Sequence, residues 1–245
     1  MAKLKVPSLQ HLVRNWRDDP HRTAKVLVRL ALNPPTFNYN PLFGAVKDML
    51  LFKQPYEQIV EGITRGVKRP GVRENILGVL PLIRGHFEDI SPDFVQAVDR
   101  RYYPVGRGIM VPFEPPLVYG IGGQLYFPWF SFWRRNPLAL KRLSLFMTLV
   151  DEVLLDDPDL SDADFHLLDF SAPVAGSARQ LRIISSRDIA RVSEDEKLAM
   201  LATFAEGYFL AHSHLSKEQS RKDADDKREQ PQSEPAQGDM FDPAE

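Results

Sequence analysis

Tyr126-Phe127-Pro128-Trp129-Phe130-Ser131-Phe132-Trp133-Arg134-Arg135 carries six aromatic side chains in ten residues. Alternate residues of a β-strand point to opposite faces of the sheet. Phe127, Trp129 and Ser131 therefore share one face, and Tyr126, Phe130 and Phe132 the other. A strand apolar on both faces is covered on both, as in the centre of a sheet flanked by helices. The stretch thus predicts a buried central strand. Aromatics followed by arginines are also a composition that stacks bases and holds phosphates. The alternation favours core packing for the rings. Arg134 and Arg135 fall at the strand's edge, where they are candidates for an anionic partner.

Around this strand the pattern is mixed. Residues 109–113 and 117–119 read as short strands, and Gly122-Gly123 as the turn into a returning strand over 124–132. Asn136-Pro137 starts a helix whose apolar stripe is Leu140, Leu143, Phe146, Met147, Val150 and Leu154. Residues 164–170 and 180–185 read as two further strands. Ser193 and Glu196 form a capping box for a last helix carrying Leu198, Leu201, Phe204, Ala205 and Phe209.

The first hundred residues read as short helices punctuated by proline. Ser8 caps one bearing Leu9, Leu12, Val13 and Trp16, which Asp19-Pro20 ends. The next stops at Asn33-Pro34-Pro35. Pro41, Pro55 and Pro70 each stand where a first helical turn begins. Pro81 kinks or shortens the helix that Pro70 opens. Ser91-Pro92 opens one more, with Phe94, Val95 and Val98 inward. The predicted fold is therefore α+β. A helical region over 1–104 packs as one unit with an α+β region over 105–215, of order β-β-β-α-β-β-α. A disordered tail follows over 216–245.

Composition narrows the chemistry. The chain has 245 residues, 43% hydrophobic and 26% charged, enough for one large domain or two small ones. It has no cysteine, which excludes disulfides, thiol nucleophiles and Cys-based zinc sites. Asp156 to Asp164 clusters acids but lacks the glycine and terminal Glu of a calcium loop, so it reads as a polar turn. His212 and His214 are two apart, whereas a helical metal pair is spaced i and i+4. No metal and no cofactor are expected. The first ten residues lack an apolar signal-peptide core. The apolar stretch over 109–133 is broken by Glu114 and by Pro112, Pro115, Pro116 and Pro128, so no membrane partner is expected. The expectation is a cytoplasmic protein.

Net charge is −2 but uneven: residues 1–110 carry +7 and residues 111–245 carry −9. A basic half meets acidic partners, of which nucleic acid is the usual one. Within it, Arg65-Gly66-Val67-Lys68-Arg69-Pro70-Gly71-Val72-Arg73 gathers four cations around two glycines in an interhelical turn. Arg65, Lys68, Arg69 and Arg73 are thus candidates for weak contact with DNA phosphates.

From Ser216 to Glu245 the only large apolar side chains are Met240 and Phe241. Such a segment buries too little apolar surface to offset its ordering entropy. Two adjacent apolar residues on a solvated tether have the form of a docking peptide. Gln237-Gly238-Asp239-Met240-Phe241 resembles the sliding-clamp-binding motif of bacterial DNA replication and repair proteins. That motif runs Gln, any residue (often Leu), a small polar residue, Leu or Met, then Phe. The resemblance implies that Gln237 enters a polar pocket on the clamp. Asp239 takes the small polar position, and Met240 and Phe241 fill the neighbouring apolar groove. Separately, the strand-strand-strand-helix-strand order is similar to that of restriction-endonuclease-like folds. Those enzymes require an acid and then a Glu/Gln-x-Lys on the next strand. Here Glu114 lies near a strand end, and Gln124-Leu125-Tyr126 lacks the Lys.

The leading functional expectation is a DNA-associated accessory protein of replication, repair or a mobile element, recruited to the sliding clamp by its C-terminal peptide. The alternatives are an enzyme of unknown reaction, including a degenerate nuclease-like fold, and a plain protein-interaction module.

Overall fold

The computed structural model describes residues 4–35 and 38–229. Helices α1 (Leu9–Asn15), α2 (Pro20–Leu32), α3 (Asn40–Leu50), α4 (Tyr56–Gly66), α5 (Pro70–Leu77) and α6 (Leu80–Phe87) come first. Strands β1 (Phe94–Gln96), β2 (Arg101–Gly106), β3 (Ile109–Phe113), β4 (Val118–Ile121) and β5 (Gln124–Ser131) follow. Helix α7 (Lys141–Val150), strands β6 (Asp164–Asp169) and β7 (Arg182–Ser185) and helix α8 (Glu194–Glu229) complete the order. The fold is α+β.

Strand β5 is central, as its two apolar faces require. It lies third in a five-stranded sheet of order β1-β4-β5-β6-β7. It pairs antiparallel with β4 and parallel with β6. A parallel pair needs a crossover, and α7 supplies it. On one face Phe127 and Trp129 join Phe165 and Leu167 of β6, beneath α1, α2, α7, α8 and the β2–β3 hairpin. On the other, Phe130 and Phe132 join Leu168 and Phe170, covered by α3, α4, α5 and α6. The N-terminal helices are thus divided between the two faces. The sheet is the shared wall of two apolar cores.

Three local expectations are corrected. Ser91-Pro92 opens no helix: Phe94, Val95 and Gln96 form strand β1, opposite Gly120, Tyr119 and Val118. Gly120 permits this, since a Cβ there would lie 2.3 Å from Phe94 Cε1. Residues 101–106 form a strand that pairs with β3 through Gly106, Arg107 and Gly108, all at positive φ. The observed order is therefore β-β-β-β-β-α-β-β-α, with the strands beginning at Phe94 rather than near residue 105. Helix α7 starts at Lys141, not at Asn136-Pro137. Asn136 Oδ1 instead accepts from the Leu138 amide at 2.8 Å, a side-chain turn that competes with helix formation.

Other local signals are realised. Pro81 falls in the first turn of a separate helix, α6, where its missing N–H has no consequence. The Glu196 amide donates to Ser193 Oγ at 3.3 Å, as the capping box demands. The backbone of α8 runs on to Glu229, past the boundary at residue 215. Lys, Glu, Gln, Arg and Ala are strong helix formers, and a helix already nucleated by packing propagates at little cost. Residues 230–245 lie outside the described residues. Among the described residues no helix is long and apolar enough to cross a membrane.

Helices α2 and α8 meet at Gly207. A Cβ there would lie 2.7 Å from Thr23 Cβ and 2.8 Å from Pro20 O. Thr23 is fully buried, and its Oγ1 accepts from the Arg17 amide at 3.0 Å, so it has no room to withdraw. Gly207→Ala is expected to lose about 1–3 kcal/mol through overpacking. This is despite alanine's advantage of about 1 kcal/mol in a helix interior. Gly120→Ala should lose less, because the Phe94 ring it meets is 44% exposed and free to swing aside. Denaturant midpoints of the two variants test this; a neutral or stabilised Gly207→Ala would contradict it.

Candidate functional site

Strands β5 and β6 end at Ser131 and Asp169, which are register partners. Ligands of open sheets bind outside the carboxyl ends of strands, where the loops diverge and leave a crevice. The two exits stay side by side for a few residues. The Phe170 amide donates to Ser131 O and the Ala172 amide to Arg134 O, both at 3.0 Å. They then part, one toward α7 and one toward β7. Between them lies a cleft of about 530 Å³, lined by Arg135, Asn136, Asp169, Ser171, Gln180 and Arg182 and by the wall over 172–175. An adjoining hollow of about 230 Å³ is bounded by Arg134 and Arg135.

Asp169 lies at the inner end, 1% exposed. Its carboxylate accepts from the Ser171 amide and hydroxyl, each at 3.1 Å, and from Arg182 Nη2 at 3.0 Å. A buried carboxylate requires partners of this kind. Here they leave its charge matched by Arg182. Two other polar atoms at this end of the sheet, Ser131 Oγ and Asn136 Nδ2, are buried without a hydrogen-bond partner among the described residues. The Asn136 oxygen is already engaged by Leu138, so its amide NH₂ is the group left over. An unpaired buried donor costs about 1–3 kcal/mol, which an incoming acceptor would recover.

The rim is cationic. Arg134 and Arg135 are exposed, and neither guanidinium makes an ion pair among the described residues. Arg179 is structural: its Nη1 donates to Phe132 O and Phe170 O at 2.9 Å, and its Nη2 to Asn75 Oδ1 at 2.7 Å. It thereby ties the exits of β5 and β6 to α5. Trp133 is half-buried, with His11 edge-on at 5.6 Å and the Arg14 guanidinium 4.9 Å above the ring. Burial, and secondarily Arg14, push the His11 imidazole down to about 4.

These groups can donate hydrogen bonds to an oxyanion at the rim, beside the Asp169 carboxylate that Arg182 and Ser171 already satisfy. Convergent N–H donors face the cleft, and no histidine lines it to activate Ser171. Among the described residues no three acids or histidines are grouped to hold a metal ion. A larger cleft of about 570 Å³ between α3 and α4 has Asp48 as its sole charged lining residue, and it offers no such convergence.

The other predicted residues are distributed elsewhere. Arg65 pairs with Glu61 along α4, Lys68 is exposed in the following turn, Arg69 is the N-cap of α5 and Arg73 is half-buried on it. None of these four lines the cleft. Glu114 is paired with Arg100 at 2.6 Å beyond the β2–β3 hairpin, and Gln124 Nε2 donates to Asp162 O at 2.7 Å. The acid and the glutamine of the nuclease-like pattern are thus both engaged outside the cleft. Asp157 and Asp164 of the acidic stretch are ion-paired with Arg101 and Arg187. Gln237, Asp239, Met240 and Phe241 lie outside the described residues. Of Asp169, Ser171, Asn136 and Arg182, only Asp169 carried a faint sequence signal, as the acid that closes a strand bearing Phe165, Leu167 and Leu168. No protein family, curated protein or solved structure matches this chain.

Proposed function

We propose that this chain is a cytoplasmic DNA-associated accessory protein of replication, repair or a mobile element. In this reading Gln237, Asp239, Met240 and Phe241 hold it at the sliding clamp. The supporting observation is the cleft whose unpaired Asn136 amide and exposed Arg134 and Arg135 offer donors to phosphate oxygens. Arg134 and Arg135 contact the backbone at the cleft's rim. Arg65, Lys68, Arg69 and Arg73 form a second, weaker patch at the α4–α5 turn. Phosphate contacts position a protein without reading sequence, so binding is salt-sensitive and sequence-tolerant. Recruitment by the tail compensates for that weakness. Docking is expected to be roughly micromolar: burying Met240 and Phe241 gives about 1.5–3 kcal/mol each, and the contacts of Gln237 and the peptide backbone supply the remainder.

Fluorescence anisotropy with labelled duplex DNA tests the first half. Arg134→Glu with Arg135→Glu should weaken binding equally for unrelated sequences. The salt dependence should flatten by about 0.9 in log–log slope for each phosphate no longer neutralised. Reversing Lys68 and Arg73 should do the same to a smaller degree. Titrating a labelled peptide of residues 230–245 against purified clamp tests the second half. The reading fails if low-salt DNA binding is absent, or if Met240→Ala with Phe241→Ala leaves the peptide signal unchanged.

A further inference from the structure

A second group of arginines lies where α1 meets α2. Arg17 Nη1 donates to Arg14 O at 2.9 Å and to Trp16 O at 2.7 Å. Arg142 Nη2, from the first turn of α7, donates to the same Trp16 oxygen at 3.2 Å. Two guanidiniums that share one carbonyl are close neighbours despite like charge. Arg14 stands on the last turn of α1 and Arg29 on the last turn of α2. Burial first, then Arg142, Arg29 and Arg14, hold the Arg17 guanidinium below its ordinary value; Asp18 acts against them. Asp18 is largely exposed and is paired with Arg22 at 3.6 Å. None of the four arginines makes a salt bridge to a carboxylate among the described residues.

Neutralising the carbonyls at the end of α1 accounts for one cation, since a helix terminus carries roughly half a charge. It does not account for both Arg17 and Arg142, and Arg14 beside them lies over the Trp133 ring. Arg17 and Arg142 are each half-buried, so one side is open to a ligand while the other has lost water. Each guanidinium carries five N–H donors, most of them unused by the fold. Phosphate oxygens match that fork geometry and charge.

We infer that the α1–α2 junction is a binding site for a compact phosphate anion of two or more charges, held between Arg17 and Arg142 beside Arg14. Convergence on a single point fits pyrophosphate or the phosphate tail of a nucleotide. A DNA backbone would instead ask for cations strung along a groove. The site is independent of Arg134 and Arg135 and of the tail.

Isothermal titration of the full-length protein at low ionic strength tests this with three probes: inorganic pyrophosphate, a nucleoside triphosphate and duplex DNA. Pyrophosphate should bind, and the triphosphate should compete with it if a nucleotide is the source. Arg17→Gln with Arg142→Gln should weaken pyrophosphate roughly tenfold or more, the value of one or two charged hydrogen bonds. Arg134→Glu with Arg135→Glu should leave the share of the binding that Arg17 and Arg142 provide unchanged. If the first pair unfolds the protein, Arg142→Gln alone decides the matter, since Arg17 then still caps the carbonyls at the end of α1. Loss of Arg142 should weaken binding about threefold. No binding of pyrophosphate, binding indifferent to Arg17 and Arg142, or binding of duplex DNA alone would overturn the inference.

Discussion

Phe165→Ala is expected to remove roughly 3–5 kcal/mol of stability, the usual cost of deleting a fully buried ring. Phe165 is 0% exposed on β6 and sits among Phe113 at 6.4 Å, Trp129 at 6.3 Å and Phe146 at 6.1 Å. Those neighbours come from the hairpin, the central strand and the crossover helix, so one ring joins three elements. They belong to a sheet that cannot collapse inward, because the other face is occupied by Phe130, Leu168 and Phe170. The cavity therefore persists, and the cost falls toward the upper end. Since domains are stable by only about 5–15 kcal/mol, the loss is a large share of the total. Phe165→Leu keeps most of the volume and should cost less than about 1.5 kcal/mol. Guanidinium unfolding followed by tryptophan fluorescence measures the first core, in or against which Trp16, Trp129 and Trp133 all pack. Hydrogen exchange of α3–α6 amides measures the second. Both should weaken together, because the sheet is their shared wall. A Phe165→Ala midpoint close to wild type, or loss confined to one face, would contradict this account.

The second large effect is acid sensitivity centred on His11. Its folded-state value is about 4, against about 6.5 for an unperturbed histidine. Below pH 6.5 the unfolded chain takes up a proton that the folded protein refuses. The His11 contribution is therefore complete above about 6.5, falls as pH drops, and levels off near 4. At about 1.4 kcal/mol per unit, the loss is on the order of 3 kcal/mol over that window. The cause is local: the imidazole packs edge-on to Trp133, with Arg14 over the same ring. His86 and His166 are also lowered, mainly by burial, and act in the same direction, so the comparison must be differential. Unfolding free energies of wild type and His11→Gln at pH 7 and pH 4.5 provide it. The variant should have the shallower pH dependence whatever its absolute stability. Equal slopes would show that His11 does not couple folding to pH.

The sequence alone determined the central strand. Alternating apolar residues on both faces of Gln124–Ser131 leave no side for water, and two covering layers follow from that fact. It also determined the starts of α4, α5 and α8. Proline at a first turn and Ser193 at a cap act on their nearest backbone neighbours, whatever the rest of the chain does. The resemblance of Gln237-Gly238-Asp239-Met240-Phe241 to a clamp-binding motif is likewise a reading of sequence alone, since a five-residue motif is a local object.

Tertiary structure decided what depends on distant partners. Phe94-Val95-Gln96 has no strand pattern of its own; it is extended because Gly120 leaves space for the Phe94 ring across the sheet edge. The N-terminal helices carry no mark of which core they will cover, because an apolar stripe fits either face. The cleft was hidden for the same reason. Asp169, Arg182, Asn136 and Ser131 are spread over about fifty residues of sequence, and become neighbours only when β5 and β6 pair in parallel. Arg17 and Arg142 are more distant still, and only the packing of α1 against α7 brings them to one carbonyl oxygen. Local backbone preferences act over a turn or two. Convergence of charge is set by strand pairing and helix packing, which single residue types do not encode.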